Sequence, residues 1–234
     1  MFLISYLYRI PEEKISERDI TPIMECLLRL FALLEVGDFG FSSRYFKTFL
    51  FNENFKLVDP NYSIDKIIED FDSHINSVWK EEDVIADLKE YDKNILVYLN
   101  EYIYAREHKL HFDFVQDKVN VEHIMPASGH NIDAIRADAQ MTLEEFDDMV
   151  NLLGNKILLE EDINKYIGRD WFKTKKGTLV QDKKGYVGSS FGIATSLSSY
   201  PSDSWGKNDI EFANRKAADR ICNFIFNKPQ EIKE

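Results

Sequence analysis

The sequence predicts an α+β fold that is mostly α: a helical N-terminal subdomain, a small unit of short strands and helices after it, and a closing C-terminal helix. Three observations carry this. Glycine (10) and proline (6) are scarce among 234 residues while charged residues reach 30%, a profile that favours helix over sandwiches and linkers. Apolar residues recur at helical spacing through most of the first 105 positions. The β-prone runs are short and sit in the middle of the chain. At roughly 150 residues per domain, the length fits one large domain or two small ones. An apolar content of 44%, with 17 Phe and 11 Tyr, excludes a disordered chain and supplies a core that needs neither disulfide nor metal.

The opening MFLISYLYRI is apolar but has no basic lead and no small-residue cleavage site, so it does not read as a signal peptide. The first clear helix runs Ile20–Leu34, with Thr21-Pro22 opening it and Gly37 and Gly40 ending it. A short helix comes next over Ser42–Phe51, with Tyr45, Phe46, Phe49 and Leu50 as its apolar set. Ser63–Trp79 is the most regular: Ile64, Ile67, Ile68, Phe71, Ile75 and Val78 line one face. Glu82–Tyr91 and Asn94–Ala105 complete the set. A soft boundary near residue 110 separates a helical subdomain (1–110) from an α+β part (111–234).

Beyond it, Phe112–Val115 and Val119–Val121 are β-prone around the polar turn Gln116-Asp117-Lys118. A polar stretch leads to a helix over Thr142–Leu153; Thr142 with Glu145 fits a capping box, and Gly154 a C-cap. Lys156–Leu159 reads as a strand and Asp162–Gly168 as a short helix. Residues 174–204, rich in Gly, Ser and Lys, read as loop, and Asp209–Phe226 as the last helix, with Ile210, Ala213, Ala217, Ile221, Phe224 and Ile225 inward.

Cys26 and Cys222 lie far apart among apolar neighbours and read as small buried hydrophobes; the absence of any Cys-x-x-Cys pair excludes a cysteine-based zinc site. No run of 18 apolar residues occurs, so a soluble, cytoplasmic protein without a membrane span is expected. The net charge of −12 opposes the electrostatic footprint usual for nucleic-acid binders. The acid is unevenly placed, however. Residues 163–186 carry seven basic and two acidic side chains inside an otherwise acidic chain.

The residues that suggest chemistry are Glu122-His123-Ile124-Met125-Pro126, then Gly154-Asn155-Lys156-Ile157-Leu158-Leu159, then Asn164-Lys165. A strand leads into a carboxylate–histidine pair, a second strand opens with Asn, and nine residues on another Asn sits in a short helix. This order resembles the HNH (His-Me finger) nucleases. The resemblance implies a ββα-metal nuclease unit and a Mg2+ or Mn2+ cofactor. It makes His123 the general base, Glu122 and Asn164 the metal ligands, and Asn155 the brace of the catalytic loop. The chemistry is consistent. A neutral imidazole can take a proton from water near pH 7, and a hard divalent cation takes oxygen ligands. Neighbours on a strand point to opposite faces, so Glu122 and His123 share a metal only if the strand ends or bends there, as Pro126 suggests.

A narrower resemblance covers more of the chain. VNVEHIMP, LLGNKILLEEDINKYIG, WFKTKK and a final helix carrying Trp205, Ile210 and Arg215 resemble the C-terminal nuclease half of GmrSD-type modification-dependent restriction enzymes. That resemblance implies a DNA endonuclease in prokaryotic defence against foreign or modified DNA. It also implies a ParB-like nucleotide-hydrolysing partner domain or subunit, since no Walker-type loop occurs here. Lys165, Arg169, Lys173, Lys175, Lys176 and Arg215 are the expected phosphate contacts. His108 and His111 read as histidines favoured at a helix C-terminus, and His130 as a loop residue. The alternative is a lapsed nuclease module that acts as a partner-binding or regulatory subunit.

Overall fold

A computed structural model of the chain describes residues 1–40, 43–111, 118–177 and 184–228. The first of two units comprises residues 1–88 with 222–228. It holds helices α1 (Phe2–Leu7), α2 (Glu17–Val36), α3 (Phe49–Lys56), α4 (Ile64–Val78) and most of α5 (Glu81–Lys89). The apolar N-terminus is a core helix: Phe2 and Tyr6, one turn apart, pack with Ile23, Leu30, Ile67 and Phe71. α2 begins before the expected Thr21-Pro22. Ser16 and Asp19 form a capping box, with the Ser16 N–H donating to Asp19 Oδ2 at 3.0 Å. Pro22 therefore lies in the second turn, where its missing N–H forfeits one bond. α4 matches its spacing, burying Ile67, Phe71 and Ile75 behind the Ser63 cap. The helix expected over Ser42–Phe51 becomes one wide π-type turn, Arg44–Thr48, running into α3.

The second unit spans residues 89–221. Its centre is a two-stranded antiparallel sheet of β1 (Val119–His123) and β2 (Lys156–Glu160), with Glu122 opposite Ile157 and His123 opposite Lys156. Around it stand α6 (Ile95–Glu107), α7 (Ile132–Asp138), α8 (Leu143–Met149), α9 (Glu161–Ile167), α10 (Phe172–Lys176), α11 (Gly192–Ser198) and α12 (Lys207–Ile225), whose last turn belongs to the first unit. All five residues of β2 are buried, because α6, α9 and α11 pack against it. That packing places α6 in the second unit, which begins at Lys89. The expected strand Phe112–Val115 lies outside the described residues.

Two expectations fail instructively. The stretch 174–204, read as loop, contains α11. Its N-terminus is held by Glu101, whose buried carboxylate accepts from the Gly192 N–H at 2.6 Å and the Ile193 N–H at 3.2 Å. Burial raises the Glu101 carboxyl to about 7. α8 keeps its Thr142–Glu145 capping box but stops at Met149, so Gly154 is not its C-cap. Gly154 lies in a 3-10 turn, Leu153–Asn155, pressed on α12: a Cβ there would stand 2.8 Å from Asn214 Cα and nearer still to the Ile210 carbonyl oxygen. Among the described residues no helix is long and apolar enough to cross a membrane.

Candidate active site

β1 ends at His123, and the alternation of a strand turns its last two side chains to opposite faces. Glu122 points inward and is buried, whereas His123 is half-buried on the other face. The Glu122 carboxylate accepts from Lys175 Nζ at 2.5 Å and from the Tyr186 hydroxyl at 3.4 Å. Lys175 also donates to the carbonyl oxygens of His123 (2.8 Å) and Ile124 (3.2 Å). Burial raises the Glu122 carboxyl and lowers the Lys175 ammonium, and their mutual attraction opposes both shifts.

Asn155 is fully buried at the start of β2. Its Oδ1 accepts from the Met125 N–H at 2.8 Å, and its Nδ2 donates to the carbonyls of Met125 (2.9 Å) and Val150 (2.8 Å). Asn155 thus ties the segment just past His123 to the end of α8. The Ile124 N–H donates to the Asn155 carbonyl at 2.9 Å, extending the ladder by one bond.

The ring of His123 stands 3.3 Å, at Nε2, from Asn151 Oδ1. With that oxygen as acceptor, Nε2 carries the proton and Nδ1 presents a lone pair. Burial lowers the His123 pKa, and the positive charges of Lys156 and Lys175 lower it further, against the Asn151 bond. The imidazole is therefore held neutral near pH 7. Sequence reading missed both Asn151 and Lys156. Asn151 looked like helix tail, and Lys156 meets His123 only through the strand register.

The resemblance expects Glu122 and Asn164 to hold a metal beside His123, and the strand alternation bears on Glu122. Glu122 faces away from His123 and its Oε1 is engaged by Lys175 and Tyr186, so the strand end does not bring the side chains of Glu122 and His123 to one ion. Asn164 sits half-buried on α9, which packs on both strands. Among the described residues no group of three His, Cys, Asp or Glu side chains converges as a metal site.

The expected phosphate contacts divide. Lys175 is buried and cannot meet solvent phosphate. Lys176 is spent on the carbonyls of Tyr200 (3.0 Å) and Ser202 (2.5 Å) and on Asp203. Lys165, Arg169, Lys173 and Arg215 are exposed. Lys165 pairs with Glu161 at 2.6 Å and Lys173 with Asp203 at 3.1 Å, while Arg215 leans over the Phe212 ring. His108 caps α6, 2.9 Å from the Tyr104 carbonyl, and His130 is exposed.

No curated protein and no solved structure matches the chain. The model of one family does, that of the GmrSD restriction endonucleases, C-terminal domain, over residues 69–218. This span takes in β1, β2, α9 and the Glu122-His123, Asn155 and Asn164 positions, and more than half of the chain. The chain therefore belongs to the family of GmrSD restriction endonuclease C-terminal domains.

Proposed function

We propose that this restriction-type nuclease domain hydrolyses DNA phosphodiester bonds, with His123 as the general base that takes a proton from the attacking water. The observation that carries the reading is the His123 ring: half-buried at a strand end, held neutral by burial and two nearby lysines, and bonded at Nε2 to Asn151. A base poised this way accepts a proton at neutral pH, and such catalysis is worth roughly 10²–10⁴-fold in rate. Mg2+ or Mn2+ is the proposed cofactor, which when bound would neutralise charge on the phosphate. Asn164 is its proposed protein donor, and Glu122 is left out of the set. Lys165, Arg169, Lys173 and Arg215 are the proposed contacts to the DNA backbone. The net charge of −12 favours weak binding by this chain alone and recruitment by a ParB-like nucleotide-hydrolysing partner.

The test is nicking of plasmid DNA, with and without base modification, in Mg2+ or Mn2+, by wild type and His123→Ala. Cleavage by wild type and its loss in the variant is expected; equal rates would remove His123 from the chemistry. Undiminished cleavage in excess chelator would remove the metal. The engagement of Glu122 by Lys175 favours a second reading, a lapsed nuclease serving as a regulatory binding module. No Mn2+ binding by calorimetry, together with no cleavage by a folded chain, would decide for it.

A further inference from the structure

We propose that Lys175 is a positioning residue for His123, and that Glu122 serves as its buried counter-ion. The inference rests on His123 acting on DNA. The Lys175 side chain is 1% exposed and that of Glu122 8%. An ammonium has three N–H donors, and here three acceptors meet it: Glu122 Oε1, the His123 carbonyl and the Ile124 carbonyl. Two of these belong to the backbone that carries the imidazole.

The lysine is itself fixed. Its N–H donates to the Trp171 carbonyl at 3.0 Å within α10, and its own carbonyl is packed against Gly185, where no Cβ would fit. Next along the chain, the wholly buried Tyr186 reaches the same Glu122 oxygen. The strand end is therefore clamped from two sides, by β2 through the ladder and by α10 through Lys175. Asn155 fixes the following residue, Met125. The backbone on either side of His123 is thus tied down, and its ring is the part that faces outward. A buried ion pair is a costly way to pack a core, because both charges lose water. It is better explained by the geometry that it imposes on two carbonyls than by stability.

The test uses the whole chain with Lys175→Met, Glu122→Gln and the double variant Glu122→Leu/Lys175→Met. Four quantities are read: kcat and KM for plasmid cleavage, the salt dependence of DNA binding without metal, thermal stability, and the 15N resonances of the His123 ring. Lys175→Met is expected to lower kcat by about ten- to a hundredfold, to leave KM and the salt slope unchanged, and to move the His123 resonances. Glu122→Gln should act in the same direction and more weakly. The double variant, with no buried charge left unpaired, should melt above Lys175→Met yet keep its low kcat, since the carbonyls still lack their donor. It carries the same measurements if Lys175→Met does not fold. Wild-type kcat and wild-type ring resonances in Lys175→Met would overturn the proposal. So would a salt slope reduced by about one, the mark of a lost phosphate contact. If wild type itself fails to cleave, the nuclease reading falls separately, and the ring resonances still decide whether Lys175 sets His123.

Discussion

Replacing Asn155 by alanine removes three hydrogen bonds at a position with no solvent access. The Met125 N–H, the Met125 carbonyl and the Val150 carbonyl are left facing a space that the truncated side chain no longer fills. A buried polar group stripped of its partner costs roughly 1–3 kcal/mol. The three together should cost about 3–6 kcal/mol, a large share of the ~5–15 kcal/mol that holds a typical domain. Chemical denaturation followed by tryptophan fluorescence measures the loss, and the midpoint should fall with little change in slope. Cleavage should fall with it under conditions where the variant is still folded, because Met125 is two residues from His123. Asn155→Asp sharpens the test. It keeps the one acceptor but sets a carboxylate against two carbonyls, so it should be at least as damaging as alanine. A loss below about 1 kcal/mol in either variant would refute the reasoning and return Asn155 to ordinary turn chemistry.

Three further outcomes rest on single contacts. Gly154→Ala drives a methyl group into the α12 backbone at Ile210 and Asn214 and should cost about 3 kcal/mol; a wild-type melting temperature would refute this. Glu101 holds its proton to about pH 7 in the folded chain against an ordinary value of 4.5. The unfolded chain releases that proton first, so folding stability should fall between pH 4.5 and about 7, by up to about 3 kcal/mol, and then level off. Glu101→Gln should flatten that part of the pH–stability curve, and an unchanged curve would disprove the assignment. Arg169→Ala, at an exposed cation, should reduce the salt slope of DNA binding by about one with kcat unchanged at saturation, and an unaltered slope would exclude it as a phosphate contact.

The elements that obey local rules were legible in the chain itself. Ile67, Phe71 and Ile75 lie one turn apart and mark α4 as amphipathic before any partner is known. Thr142 with Glu145 forms its capping box from neighbouring residues alone. The order Glu122-His123, Asn155, Asn164, a pattern of residue types at fixed spacing, points to the family whose model matches residues 69–218. What only the tertiary structure decided concerns direction and pairing. A two-residue period says that Glu122 and His123 face opposite ways, but not which face the rest of the fold covers. That depends on α10 arriving from about 50 residues further on with a lysine. In sequence, Lys175 is one member of a basic run and looks solvated; in the fold it is buried, because Glu122 and two carbonyls offer it what water would have supplied. Gly and Ser around α11 look like loop for the same reason: the carboxylate of Glu101 that satisfies the helix start is 91 residues away. Residue type determines what a side chain can bond to, and tertiary structure chooses which of those partners is present, since a buried polar group takes whatever the fold brings to it.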